Sequence, residues 1–184
     1  MADLVRRPVP QRTRLARQHD RGPRVEYLAF ELAGEPYAAP VALVREILKP
    51  PPLTPVPRAP HAVLGIISVR GQLVTVLDLR RRLRLPESPP SRKARILLVE
   101  GDLGEMLGLY VDEVLQVYRF SESEIEHAAL ALGNDVAPYI AGIARPATVV
   151  ATTSPGTPVA APPTVRRDPE GTVIILLDLR AVLL

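Results

Sequence analysis

Apolar positions along this chain fall into short runs and loose alternations broken by glycine and proline, a pattern that predicts strands in preference to long helices. Val25 to Leu32 (VEYLAFEL) alternates as a strand does, and Ala33-Gly34-Glu35 turns it back toward Tyr37 and Ala38, which predicts an opening hairpin. Pro40 to Leu48 admits two readings. Val41, Val44 and Ile47 or Leu48 fit helical spacing with Pro40 at the first position, and a single turn followed by a strand fits nearly as well. Six prolines between Pro50 and Pro60 forbid helix and favour an extended connection.

Val63 to Leu83 (VLGIISVRGQLVTVLDLRRRL) follows as two apolar strands meeting at a tight Arg70-Gly71 turn. The second runs through Leu77-Asp78-Leu79-Arg80 into a short helix that Pro86 is expected to end. After a Ser/Pro-rich junction at Glu87 to Arg92, the pattern restarts with ARILLVEG from Ala94. Gly101, Asp102 and Gly104 supply a turn, and MLGLYVDEVLQVYRF returns as one long strand or a bent pair. Ser121 to Leu132, with capping-type serines and acids in its first turn, predicts a short helix. Tyr139 to Val150 and Val173 to Leu177 are the remaining strand candidates.

Near its end the chain repeats itself, since Val173 to Leu184 (VIILLDLRAVLL) has the same strand-plus-LDLR ending as the first half. Two similar modules are therefore expected, subdomain 1 at about 25–90 and subdomain 2 at about 91–184. Residues 1–24 read as a disordered basic arm without apolar periodicity. The stretch at about 151–170 holds five prolines and almost no large apolar residue, so it reads as a flexible insert.

Composition narrows the function. At 184 residues and 47% hydrophobic the chain can build a core, but with 4% aromatics and no Trp that core must be aliphatic. The net charge of +3 is local: seven arginines face two aspartates in the first 24 residues, leaving the remainder slightly acidic. A nucleic-acid role would rest on the arm alone. The absence of cysteine excludes disulfides, thiolate metal sites and a Cys nucleophile. Without an apolar leader or an unbroken apolar span, a cytoplasmic location with no direct membrane insertion is expected.

Catalytic chemistry finds no footing. There is no G-x-S-x-G elbow, and Gly101, Gly104 and Gly108 lack the spacing of a phosphate or dinucleotide loop. His19, His61 and His127 lie in unrelated contexts without metal-ligand spacing. Asp112 and Glu113 would point to opposite faces of a strand, so both read as solvated charge. What remains is Arg70 beside Gly71, a guanidinium projecting from a rigid hairpin end and suited to a protein interface.

Gly65 to Leu79 (GIISVRGQLVTVLDL) resembles the strand, R-G turn, strand and D-L ending of the CheW-like coupling proteins of bacterial chemotaxis and related sensory arrays. Tyr27 to Phe30, Val44 to Ile47, Gly108 to Val114 and Tyr139 to Ile143 support the resemblance, which spans residues 25–184 apart from the insert. It implies a mainly β protein of two small five-stranded β-barrel subdomains packed together over a shared core, with short helices, no catalysis and no cofactor. It also implies two partners, the cytoplasmic tip of a chemoreceptor (methyl-accepting chemotaxis protein) and the regulatory domain of a CheA-type histidine kinase. By position, Val44, Glu46, Gly65 and Arg70 look like the receptor-contacting set. Ser68 stands where many relatives have Asn and Thr75 where many have Pro, and the arginine arm and proline-rich insert lie outside the usual minimal domain. The alternative function is a nucleic-acid-associated module that uses the arm.

Overall fold

The computed structural model describes residues 23–87, 89–128, 137–146, 148–150, 164–166 and 172–183. The arm at 1–22 and most of the insert lie outside the described residues. Two sheets make up the body. One contains β3 (Val44–Leu48), β4 (Val63–Val69), β5 (Gln72–Asp78), β6 (Arg95–Glu100) and β7 (Met106–Val111), in the order β3-β6-β7-β5-β4. The other contains β1 (Arg24–Leu32), β2 (Glu35–Pro40), β8 (Glu113–Ser121), β9 (Ile125–His127), β10 (Ile140–Ala144) and β13 (Ile174–Leu177), in the order β8-β1-β2-β13-β10-β9. Two further short strands, β11 (Thr148–Val150) and β12 (Thr164–Arg166), pair with each other, so part of the expected loop at about 151–170 is a strand.

The repeat seen in the sequence is a repeat of strand pairing. The hairpin β1–β2 corresponds to β6–β7, the antiparallel pair β8–β1 to β3–β6, β10–β13 to β4–β5, and the parallel pair β13–β2 to β5–β7. Each sheet thus combines the opening hairpin of one half of the chain with the later strands of the other half. The junction near residue 90 lies inside the five-stranded sheet, between β5 and β6, and the chain crosses between sheets after β2 and after β7. The two halves are interlaced.

Interlacing explains why several strands are apolar on both faces. In β6, Leu97 and Val99 enter the core shared by the two sheets, while Ile96 and Leu98 point into the five-stranded sheet's own interior. In β1 and β2, Leu28, Phe30, Leu32, Tyr37 and Ala39 face the shared core, and Ala29 and Ala38 face the interior of the six-stranded sheet. Phe30, Leu32, Leu97 and Leu109 are fully buried.

Each module ends in the same local device. In α1 (Leu79–Arg82) the Asp78 carboxylate accepts hydrogen bonds from the backbone N–H of Arg80 and Arg81. In α2 (Leu179–Leu183) Asp178 accepts from the N–H of Arg180 and Ala181. The leucine after each aspartate, Leu79 or Leu179, anchors its helix in the shared core. LDLR is therefore a helix cap plus an apolar anchor. Pro86 does not end α1: Arg84 adopts φ 58°, its N–H bonds to the Arg81 carbonyl, and the Leu85 N–H bonds to the Arg80 carbonyl, closing the helix after Arg82, ahead of the proline.

Two ambiguous segments resolve as their second alternatives. Pro40 to Leu48 is a 3-10 turn at Val41–Leu43 followed by β3, and Met106 to Ser121 is a bent pair, β7 and β8, broken at Asp112. The helix expected over Ser121 to Leu132 is corrected in its described part. Ser121 and Glu124 do form a reciprocal capping box, but it closes a 3-10 turn at Glu122–Glu124. Ile125–His127 then pairs with β10, so sheet pairing overrides the helical start, and residues 129–136 lie outside the described set. Tyr139 to Val150 likewise divides into β10 and β11.

Burial raises the phenol pKa of Tyr27 and Tyr37 above the usual value, with Glu35 and Tyr139 adding to the effect at Tyr37. Burial does the same at Tyr110, where nearby Arg80 opposes it and Asp112 and Asp78 assist. A raised folded pKa means that the stability these groups contribute is intact below their unfolded value, about 10, and is lost as pH rises through the folded value. Phenolate absorbance should therefore show a late-titrating fraction coupled to loss of circular dichroism on the alkaline side. A single early titration of all tyrosines with the fold retained would contradict this burial.

Candidate functional site

The five-stranded sheet curls enough to bring its edge strand β3 to the tip of the β4–β5 hairpin. Glu46 lies on the edge strand β3, Arg70 at the β4–β5 hairpin tip, and Arg70 Nη2 stands 3.0 Å from Glu46 Oε2. At the tip both Arg70 (φ 51°) and Gly71 (φ 85°) are left-handed, as a two-residue hairpin of the twist-compatible kind requires. The turn holds the Arg70 side chain out, 80% exposed, while Glu46 is 35% exposed. An ion pair this wet contributes little to stability. It does fix two hydrogen-bonding groups of opposite sign at the rim of a cavity of about 240 Å3, whose walls include Val69, Val74, Leu98 and Met106.

The four residues singled out from sequence do not all converge. Glu46 and Arg70 come together, although 24 positions separate them. Val44 is half-buried and packs against the shared core at the start of the same strand. Arg45 between them sits at a register shift and turns outward to Glu100, at 2.7 Å. Gly65 is buried and does not line the Glu46–Arg70 cavity. Its φ is 152°, and a Cβ there would stand 2.5 Å from the Thr54 carbonyl oxygen, so its close backbone approach is to its own chain. The equivalent position in the other sheet is Gly142, where a Cβ would stand 2.7 Å from the Glu126 carbonyl oxygen. Both glycines lie at register shifts in their strands, between Val63 and Gly65 and between Ile140 and Gly142.

A second charged cluster escaped the sequence reading. Asp112, expected to be solvated, is 6% exposed, and Arg80 is 5% exposed. Arg80 Nη2 lies 3.3 Å from Asp78 Oδ2, and Nη1 lies 3.2 Å from Asp112 Oδ1. The latter contact is close as a charge pair but misdirected as a hydrogen bond, since Asp112 Oδ1 has no donor aligned with it. Asp112 Oδ2 accepts the Ala33 N–H at 2.8 Å, tying the β1–β2 turn to the β7–β8 bend. Burial disfavours the Arg80 charge. The hydrogen bond to Asp78 and the charges of Asp78 and Asp112 outweigh it, so the guanidinium pKa lies above its ordinary value. The missed signal was the bend itself: an acid at the junction of two strands can turn inward where alternation stops.

Among the described residues no group of three or more His, Cys, Asp or Glu side chains could hold a metal ion, and no helix is long and apolar enough to cross a membrane. His61 and His127 are exposed, and His19 lies outside the described residues.

Comparison with known proteins agrees with this architecture. The CheW-like domain family matches residues 26–153. The chain is 38% identical over 101 residues to the chemotaxis protein CheW of Bacillus subtilis, covering 55% of this chain and 64% of the relative. It is 27% identical over 111 residues to that of Helicobacter pylori, covering 60% and 67%. The matched segments therefore span about two thirds of these relatives' own length. The crystal structure of the scaffolding protein TtCheW from Thermoanaerobacter tengcongensis superposes with a TM-score of 0.67 at 28% identity, covering 87% of this chain and 92% of that one. With its interlaced sheets, its R-G hairpin tip and more than half its length matched, the chain belongs to the CheW-like family of chemotaxis scaffold proteins.

Proposed function

We propose that the protein is a non-catalytic adaptor that couples chemoreceptors to a CheA-type histidine kinase. The observation that carries this reading is the Glu46–Arg70 pair, two oppositely charged groups held at a barrel rim by an edge strand and a rigid hairpin. A receptor helix laid against this rim would meet hydrogen-bonding groups of both signs, with Val44 as the adjoining apolar contact. Gly65 serves the site by shape, letting the Leu53–Thr54 segment lie against β4. The kinase is assigned to the edge strands, where Ile47 on β3 and Leu115 and Val117 on β8 remain exposed. Those two strands occupy equivalent positions in the two sheets, so one molecule offers two apolar edges at a fixed separation.

Arg70→Glu is expected to weaken binding of a receptor cytoplasmic fragment by about 2 kcal/mol, roughly thirtyfold. Because the side chain is exposed, folding stability should change by about 0.5 kcal/mol or less. Titration calorimetry on the variant and on the charge-swapped Glu46→Arg/Arg70→Glu pair separates two roles. If the residues serve only each other, the swap restores binding. The proposal requires that it does not, because each group faces a partner group of fixed sign.

A further inference from the structure

At the other end of the five-stranded barrel lies a larger cavity of about 610 Å3. The ends differ because the same strands contribute different residues to each: Leu64 here and Val69 there on β4, Tyr110 here and Met106 there on β7. The wall here is apolar, built from Leu53, Leu64, Ala94 and the ring of Tyr110, all continuous with the barrel's own core. Beside Pro50, Pro90 and Ser91, the remaining lining is charged and unbalanced. Lys49, Arg80, Arg81 and Arg92 oppose Asp78 and Glu87 in the lining and Asp112 directly behind Arg80, a surplus of one positive charge.

Two features of the lining suit an anionic group. Lys49 and Arg92 are exposed and make no ion pair with another described residue. Arg81 Nε is a buried donor with no aligned acceptor: the carboxylates of Glu87 and Asp78, 3.3 Å and 3.8 Å away, match its charge but not its hydrogen bond. The buried Arg80, by contrast, is already matched by Asp78 and Asp112 and forms a fixed part of the wall. A purely polar anion would leave the aliphatic wall uncovered, and a neutral apolar molecule would leave the Arg81 donor and the rim charges unmet.

We propose that this cavity binds a small amphipathic carboxylate, with an apolar body against Leu53, Leu64 and Tyr110 and its headgroup toward Arg81, Lys49 and Arg92. The volume suits a ligand of modest size, since small-molecule sites run from about 300 to 1,000 Å3. The site is independent of the receptor assignment, as it shares no residue with the Glu46–Arg70 rim.

The test is titration calorimetry of the full chain with sodium octanoate, with 1-octanol as the neutral analogue and sodium acetate as the headgroup alone. Octanoate should bind saturably with a stoichiometry of one, and both controls should bind at least about tenfold more weakly. The double variant Lys49→Glu/Arg92→Glu, both exposed positions, should keep its melting temperature and lose octanoate affinity by about tenfold or more. Arg70→Glu should bind octanoate normally. Absence of saturable binding, octanol or acetate matching octanoate, or a double variant with undiminished affinity would each overturn the proposal.

Discussion

Replacing Arg80 with methionine is expected to cost about 3–5 kcal/mol of folding stability, because it leaves the carboxylates of Asp78 and Asp112 buried without their cation. For a chain of this length that corresponds to a fall in melting temperature of about 6–20 °C. The repeated motif supplies its own control. Arg180 follows Asp178 as Arg80 follows Asp78, but both are exposed, so Arg180→Met should change stability by about 0.5 kcal/mol or less. Chemical denaturation of the two variants side by side reads out burial, since their local sequences are nearly the same. Equal and small losses would mean that the Arg80 cluster is hydrated and does not join the β7–β8 bend to the β1–β2 turn.

Gly65→Ala is the second large effect. The added methyl would start 2.5 Å from the Thr54 oxygen, and φ 152° is a conformation that L side chains rarely adopt. Backbone strain and overpacking together should cost about 2–5 kcal/mol. Gly142→Ala, where the Cβ meets the Glu126 oxygen at 2.7 Å without the unusual φ, should cost less, about 1–3 kcal/mol. The order of the two melting temperatures tests the argument. The outcome also bears on the receptor site: any loss of partner binding by Gly65→Ala must be measured at temperatures where the variant is folded. A variant of wild-type stability that nonetheless fails to bind would return Gly65 to the contact surface.

Much of the molecule was legible in local pattern. Alternating or continuous apolar runs marked the strands, Arg70-Gly71 marked a hairpin tip, and LDLR marked the end of each half, because turn chemistry and capping act over a few neighbouring residues. The capping box at Ser121 was also legible, but its consequence was not: whether a capped turn continues as helix depends on whether a strand such as β10 lies beside it. Asp112 misled for the same reason. Strand alternation predicts an outward acid only while the strand continues, and here the strand bends.

By itself, then, the sequence determined that this is a chain of short strands in two matching halves, each closing on the same strand-plus-LDLR ending, with a guanidinium at one hairpin end. Those features follow from interactions within a few residues. Only the tertiary structure decided that the halves exchange their opening hairpins, that Glu46 meets Arg70, that Arg80 and not Arg180 is buried, and that one barrel mouth carries surplus positive charge over an apolar wall. Each of these depends on which distant strand lies alongside, and the same apolar surface and backbone hydrogen bonds could be satisfied by more than one partner until the whole sheet closes.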